Sequence, residues 1–104
     1  MEFLVNIRIQ WPADGDPEKY ARIAEEERAL AGKLAEAGHL IRMWRVPGRR
    51  ENWGLWRAES PSELHEILSR LPVWPWMDIT VHPLGWHPVD PAPEHSRPQV
   101  TLPH

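Results

Sequence analysis

The sequence predicts an α+β subunit of the ferredoxin-like kind, with element order βαββαβ and two helices on one face of a four-stranded antiparallel sheet. Three observations lead there. The chain opens on a period-two apolar run. It contains two stretches of helical periodicity, each introduced by an Asp or Ser and a proline. Between them lie two aromatic-rich extended segments joined by Pro47 and Gly48.

In the first segment Phe3, Val5, Ile7, Ile9 and Trp11 alternate with Leu4, Asn6, Arg8 and Gln10, which makes a half-buried strand stopped by Pro12. The DGDP stretch turns the chain, with Asp16 as N-cap and Pro17 at the first helical position, and Gly38 ends the helix. A second strand, HLIRMWRVPG, and a third, ENWGLWRA, form a hairpin. Ser60, Pro61 and Glu63 then read as a capping box for a second helix whose Leu64, Ile67, Leu68 and Leu71 face the core and which ends at Pro72. Trp76 to Leu84 supply the fourth strand. The expected domain is 1–87, followed over 88–104 by a segment with five prolines in seventeen residues that reads as a mobile tail or as an extended arm laid on a neighbour, outside the packed core.

Composition narrows the function. The 104 residues allow one domain. So small a domain hides only roughly 60 to 65% of its unfolded surface, yet this one carries seven tryptophans and aliphatics on several faces. A sheet with both helices on one side leaves its other face bare, so self-association is expected. There is no cysteine, hence no disulfide framework and no thiol nucleophile. With no signal-like or spanning apolar run, the expected place is the cytoplasm, and no membrane partner is expected. A net charge of −3 argues against nucleic acid. The six histidines show no metal-ligand spacing, so no metal is expected.

The candidate site starts from Glu27. The apolar residues Tyr20, Ile23, Ala24, Leu30, Ala31 and Leu34 average, at about 100° per residue, to the direction of position 27, whereas Glu25 and Glu26 point to solvent. A carboxylate aimed into a core is either half of an ion pair or a group that handles a proton. On the third strand Asn52, Gly54 and Trp56 share one face. The missing side chain at Gly54 leaves room beside an amide for a small ligand, or else marks a bulge beside a surface amide. Arg45 stands within a strand and not at the hairpin tip with Arg49 and Arg50. It is either an anion anchor or a salt-bridge partner of Glu27 or Asp78. His65 lies about 100° from its helix's apolar centre, at a pocket edge or in solvent. The tryptophans serve core, interface or pocket wall, with Trp53 the one expected at the substrate.

The stretches FLVNIRIQWP, EEERALAGKL, WRVPG with NWGLW, and LPVWPWMDITVHPLGWHP together resemble muconolactone delta-isomerase over residues 1–88. The resemblance implies a ferredoxin-like subunit assembled through its sheet face into a decamer, no cofactor, and a double-bond shift in a lactone carboxylate of aromatic (catechol) catabolism. It also implies catalytic roles for Glu27 and Asn52 and a substrate-binding role for Arg45, which lies in the WR motif. Arg50 departs from the family pattern, which has an aromatic there, and the tail is longer; both bear on the substrate's substituents. Two rivals share the architecture: a binding module for an aromatic acid or lactone, and a cofactor-free oxygenase or dehalogenating lyase.

Overall fold

A computed structural model describes residues 1–91. It consists of β1 (Glu2–Ile9), α1 (Pro17–Glu36), β2 (Leu40–Arg45), β3 (Glu51–Arg57), α2 (Pro61–Ser69), a single 3₁₀ turn at Trp74–Trp76, and β4 (Met77–Leu84). The strands lie in the order β2-β3-β1-β4, all antiparallel, which is the expected ferredoxin-like topology.

Local chemistry explains the boundaries. Asp16 accepts from the Glu18 N–H and Pro17 occupies the first turn of α1. At the other end Gly38, with φ +87°, allows two bonds that satisfy terminal carbonyls: its own N–H to Ala35 O, and His39 N–H to Leu34 O. The Ser60 hydroxyl accepts from the Glu63 N–H at the start of α2, but the Glu63 carboxylate reaches back to the Glu59 N–H, one residue before the cap. Three ends differ from expectation. β1 stops at Ile9, so Trp11 leaves the sheet. α2 ends at Ser69, because Pro72 already disfavours helical dihedrals at the preceding residue. Trp76 belongs to the 3₁₀ turn seeded by Pro75 and not to β4.

The register sorts the two faces. Phe3, Val5 and Ile7 pair with Trp56, Gly54 and Asn52 on one side and with Pro83, Val81 and Ile79 on the other, and this face meets the helices. Phe3, Val5, Ile7, Trp56, Leu64, Leu68 and Leu71 are all buried there. The opposite face is uncovered within the subunit, and it is a mosaic, not an apolar plane. Leu4, Leu55, Trp53 and Trp44 share it with the ion pairs Arg8–Asp78 (2.5 Å) and Arg57–Glu2 (2.7 Å), and with an Asn6-to-Glu51 hydrogen bond (3.0 Å). The alternating acids and bases make this face wettable as well as stackable. The expected tail over 88–104 lies mostly outside the described residues; at its start Asp90 N–H bonds His87 O (3.0 Å).

Candidate active site

The face of α1 that periodicity turns inward is the face that packs. Tyr20, Ile23, Ala24, Glu27, Leu30, Ala31 and Leu34 are the helix residues partly withdrawn from solvent; none is fully buried. Glu27 is therefore half-buried above the sheet. Its Oε1 accepts a hydrogen bond of 3.1 Å from the N–H of Val73, a buried residue in the link from α2 to β4. Among the described residues no arginine or lysine pairs with it. Burial raises its pKa above the ordinary 4.5, and the Val73 N–H, which favours the ionised form, offsets only part of that rise. A carboxylate in this state holds its proton closer to neutrality than a surface glutamate does.

Glu27 opens into a cavity of about 570 Å³ enclosed by α1, the ends of β1, β2 and β3, and the Val73 link. Arg45 and Asn52 line it too, and they are direct cross-strand partners in the β2–β3 ladder, so that both side chains start side by side on the same wall. Arg45 forms no salt bridge to Glu27 or Asp78; Asp78 is held by Arg8. Arg45 is thus a cation without a carboxylate partner among the described residues. Arg50 and Arg28 also line the cavity, but Arg28 is tied to Glu25 on the outer surface of α1 (2.5 Å). The wall acid Glu51 is occupied by Arg49 and Asn6.

The site so assembled has one half-buried base, one unpaired strand arginine and one amide, with Trp11, Ile9, Ala24, Met43 and Val73 as apolar wall. It offers a proton acceptor, an anion anchor and a neutral donor within a space larger than a ten-atom organic acid needs. No cluster of three or more His, Cys, Asp or Glu suited to a metal occurs among the described residues.

Two expected residues stand elsewhere. Trp53 is on the other face of β3, where it stacks obliquely on His82 (5.9 Å between ring centres), since successive strand residues point to opposite faces. His65 lines a separate groove of about 250 Å³ between α2 and β4, edge-on to Trp74 at 5.6 Å. Nor does Gly54 leave room for a ligand: a Cβ there would lie 2.5 Å from Trp56 Nε1, so the indole already fills the space. Conversely, Val73 and Trp11 were not visible as site residues. Val73 acts through its backbone, which carries no side-chain signature, and Trp11 was absorbed into the alternation of β1.

A family model for muconolactone delta-isomerase matches residues 1–90. The chain belongs to the muconolactone delta-isomerase family. Its relatives include muconolactone delta-isomerase 2 of Acinetobacter lwoffii, 39% identical over 87 residues that make up 84% of this chain and 91% of the relative. The enzyme of Pseudomonas aeruginosa is 36% identical over 88 residues, 85% of this chain and 92% of that one. A crystal structure of muconolactone isomerase superposes with a TM-score of 0.82 at 33% identity, covering 89% of this chain and 97% of its own. A 5-chloro-2-hydroxyhydroquinone dehydrochlorinase of Burkholderia phenoliruptrix shares the fold at a TM-score of 0.63, covering 82% of this chain and 94% of its own. At 14% identity that likeness concerns the fold alone.

Proposed function

We propose that this member of the muconolactone delta-isomerase family shifts the ring double bond of muconolactone to give 3-oxoadipate enol-lactone, a step of catechol catabolism, by moving one proton. The observation that carries the mechanism is Glu27: a half-buried carboxylate with a raised pKa, tethered by the Val73 N–H and free of any ion pair among the described residues, at the wall of a cavity. Glu27 removes the hydrogen from the ring carbon γ to the lactone carbonyl, which moves electron density onto the carbonyl oxygen as a dienolate. The same carboxyl then returns a proton to the α carbon. Its raised pKa brings it nearer to neutral pH in both directions of transfer.

Arg45 supplies the charge that a carboxymethyl arm pairs with, and its cross-strand neighbour Asn52 supplies the hydrogen bond to the dienolate oxygen, where one well-placed donor contributes roughly 3 kcal/mol. The chemistry asks nothing of a cofactor. Trp53 and His65 are outside this cavity in the subunit, and no role at the substrate follows for them. The uncovered sheet face, with Trp44 and Leu84 each more than 40% exposed, supports assembly into a homo-oligomer, with the decamer as the form to test. Residues 1–87 form the catalytic domain in this reading. The absence of cysteine from the chain suits a reducing cytoplasm, and no helix among the described residues is long and apolar enough to cross a membrane.

The test is incubation with muconolactone in heavy water with a chelator present, followed by NMR. The double bond should move from the α,β to the β,γ position, with part of the γ hydrogen recovered at the α carbon because one carboxyl carries it. Saturable binding without any shift of the double bond would instead make the cavity a binding module for a lactone acid.

A further inference from the structure

Among the described residues three buried side-chain polar atoms have no hydrogen-bond partner: Asn52 Oδ1, Trp56 Nε1 and Trp86 Nε1. The first two are an acceptor and a donor on the same face of β3, with Gly54 between them. The Trp56 ring is fully buried and leans back along the strand over Gly54, so far that a Cβ on that glycine would sit 2.5 Å from Nε1. Same-face residues follow at about 7 Å along a strand, so an indole edge over Gly54 has covered the first of the two steps to Asn52 and points its N–H edge along the second. Neither atom is open to water, and a buried donor and a buried acceptor each left alone are costly.

We propose that Trp56 is a positioning residue: its indole N–H and Asn52 Oδ1, not bonded to each other in this structure, pair across Gly54 in the working protein and thereby turn the Asn52 NH₂ group toward the cavity. An amide has two orientations that differ by a half-turn and fill the same space. Indole nitrogen is a donor only, so a tryptophan behind Asn52 accepts one of them, oxygen inward. The amide nitrogen then faces the wall it shares with Glu27 and Arg45, where it is a donor to the oxygen of a dienolate and not a repelling acceptor. Gly54 is required because any side chain would displace the indole. The functional half of this inference rests on the isomerase reading; the contact itself does not.

The experiment uses the full-length chain and two variants. The Trp56 indole resonance in the proton–nitrogen spectrum is assigned by its loss in Trp56→Phe, which keeps a large buried ring without the N–H. In Asn52→Ala that resonance should move upfield, since its acceptor is gone. With muconolactone, Trp56→Phe should lower kcat about tenfold at little change in KM, and should have no further effect on kcat in the Asn52→Ala background. An indole resonance that ignores Asn52→Ala, or losses that multiply in the double variant, would overturn the proposal. If Trp56→Phe fails to fold in a thermal melt, the indole shift in Asn52→Ala decides alone. If the parent protein does not turn over muconolactone, the isomerase reading falls while the same shift still tests the contact.

Discussion

The two helices lie on one face of one sheet and do opposite things with it. α2 buries Leu64 and Leu68 completely against Phe3, Val5, Ile7 and Trp56, whereas α1, more than twice as long, buries no residue fully and leaves a cavity beneath it. Both are proline-started and capped. The difference is in what each presents at the centre of its inner face: leucines in α2, Glu27 in α1. A carboxylate cannot be packed as a leucine is without losing its hydration, so the α1 side stays open enough to hold a polar pocket, and the α2 side provides the rigidity that keeps that pocket's walls in place. Frame and site are thus divided along the width of a single sheet.

The sharpest way to break that division is to damage the frame. Leu68→Ala removes side-chain volume from the buried cluster under α2, so unfolding free energy should fall by about 2–5 kcal/mol. Because Leu68 is away from the cavity, kcat per folded molecule should stay near that of the parent at low temperature. Urea titration and kinetics on the same samples check both halves. A stable variant with poor kcat would mean that the two sides are not separate.

Glu27→Gln is the reciprocal change. It keeps the shape and an oxygen for the Val73 N–H but removes the base, so turnover should drop at least about 100-fold with the melting temperature held or raised. Near-normal turnover would take Glu27 out of the mechanism. A large loss of stability instead would mean that its carboxylate serves the frame.

How much of this could be read beforehand follows the same division. The order of elements, the helix caps and the inward direction of Glu27 were legible because they depend on local periodicity and on capping chemistry that operates over a few residues. The pairing of Arg45 with Asn52 across the hairpin was not, since register depends on a turn and a bulge near Leu40 and Arg42 that periodicity does not specify. Trp53 was expected at the substrate, but the same alternation that puts Asn52, Gly54 and Trp56 on one face puts it on the other, and the register shows which of the two faces meets the helices. His65 was read as standing at a pocket edge or in solvent, and it is exposed at the rim of the α2–β4 groove, away from the Glu27 cavity. The Val73 tether belongs to the backbone and leaves no trace in residue type.

Arg45→Met probes the site's anchor with a smaller expected effect. Arg45 is exposed on the helix side of β2 and has no carboxylate partner among the described residues, so its removal should leave stability within about 0.5 kcal/mol. Affinity for the free acid should weaken about tenfold more than affinity for its methyl ester, because only the acid presents a charge. Equal losses on acid and ester, measured by inhibition kinetics, would mean that the guanidinium shapes the wall without pairing. A cation–carboxylate contact made by Arg50 instead would appear as the same acid-selective loss in Arg50→Met, and the two variants together locate the anchor.

The smallest effect is also the most specific to the open side of the sheet. Burial holds the Glu27 pKa above its ordinary 4.5, so between that value and the raised one the native state keeps a proton that the unfolded chain has released. Stability therefore decreases as pH rises through this window, by linkage, and levels off above the raised pKa. Glutamine at the same position stays neutral throughout. The stability of Glu27→Gln relative to the parent should then increase across the window and be constant on either side, at fixed protein concentration so that assembly does not enter. The parent's kcat/KM should rise over the same interval, since the base must be ionised to take the first proton. Urea midpoints and kcat/KM measured in parallel from about pH 4 to about pH 8 check the coincidence. A flat stability difference alongside a rising kcat/KM would assign the kinetic limb to a group other than Glu27, and the open half of the sheet would then need another base.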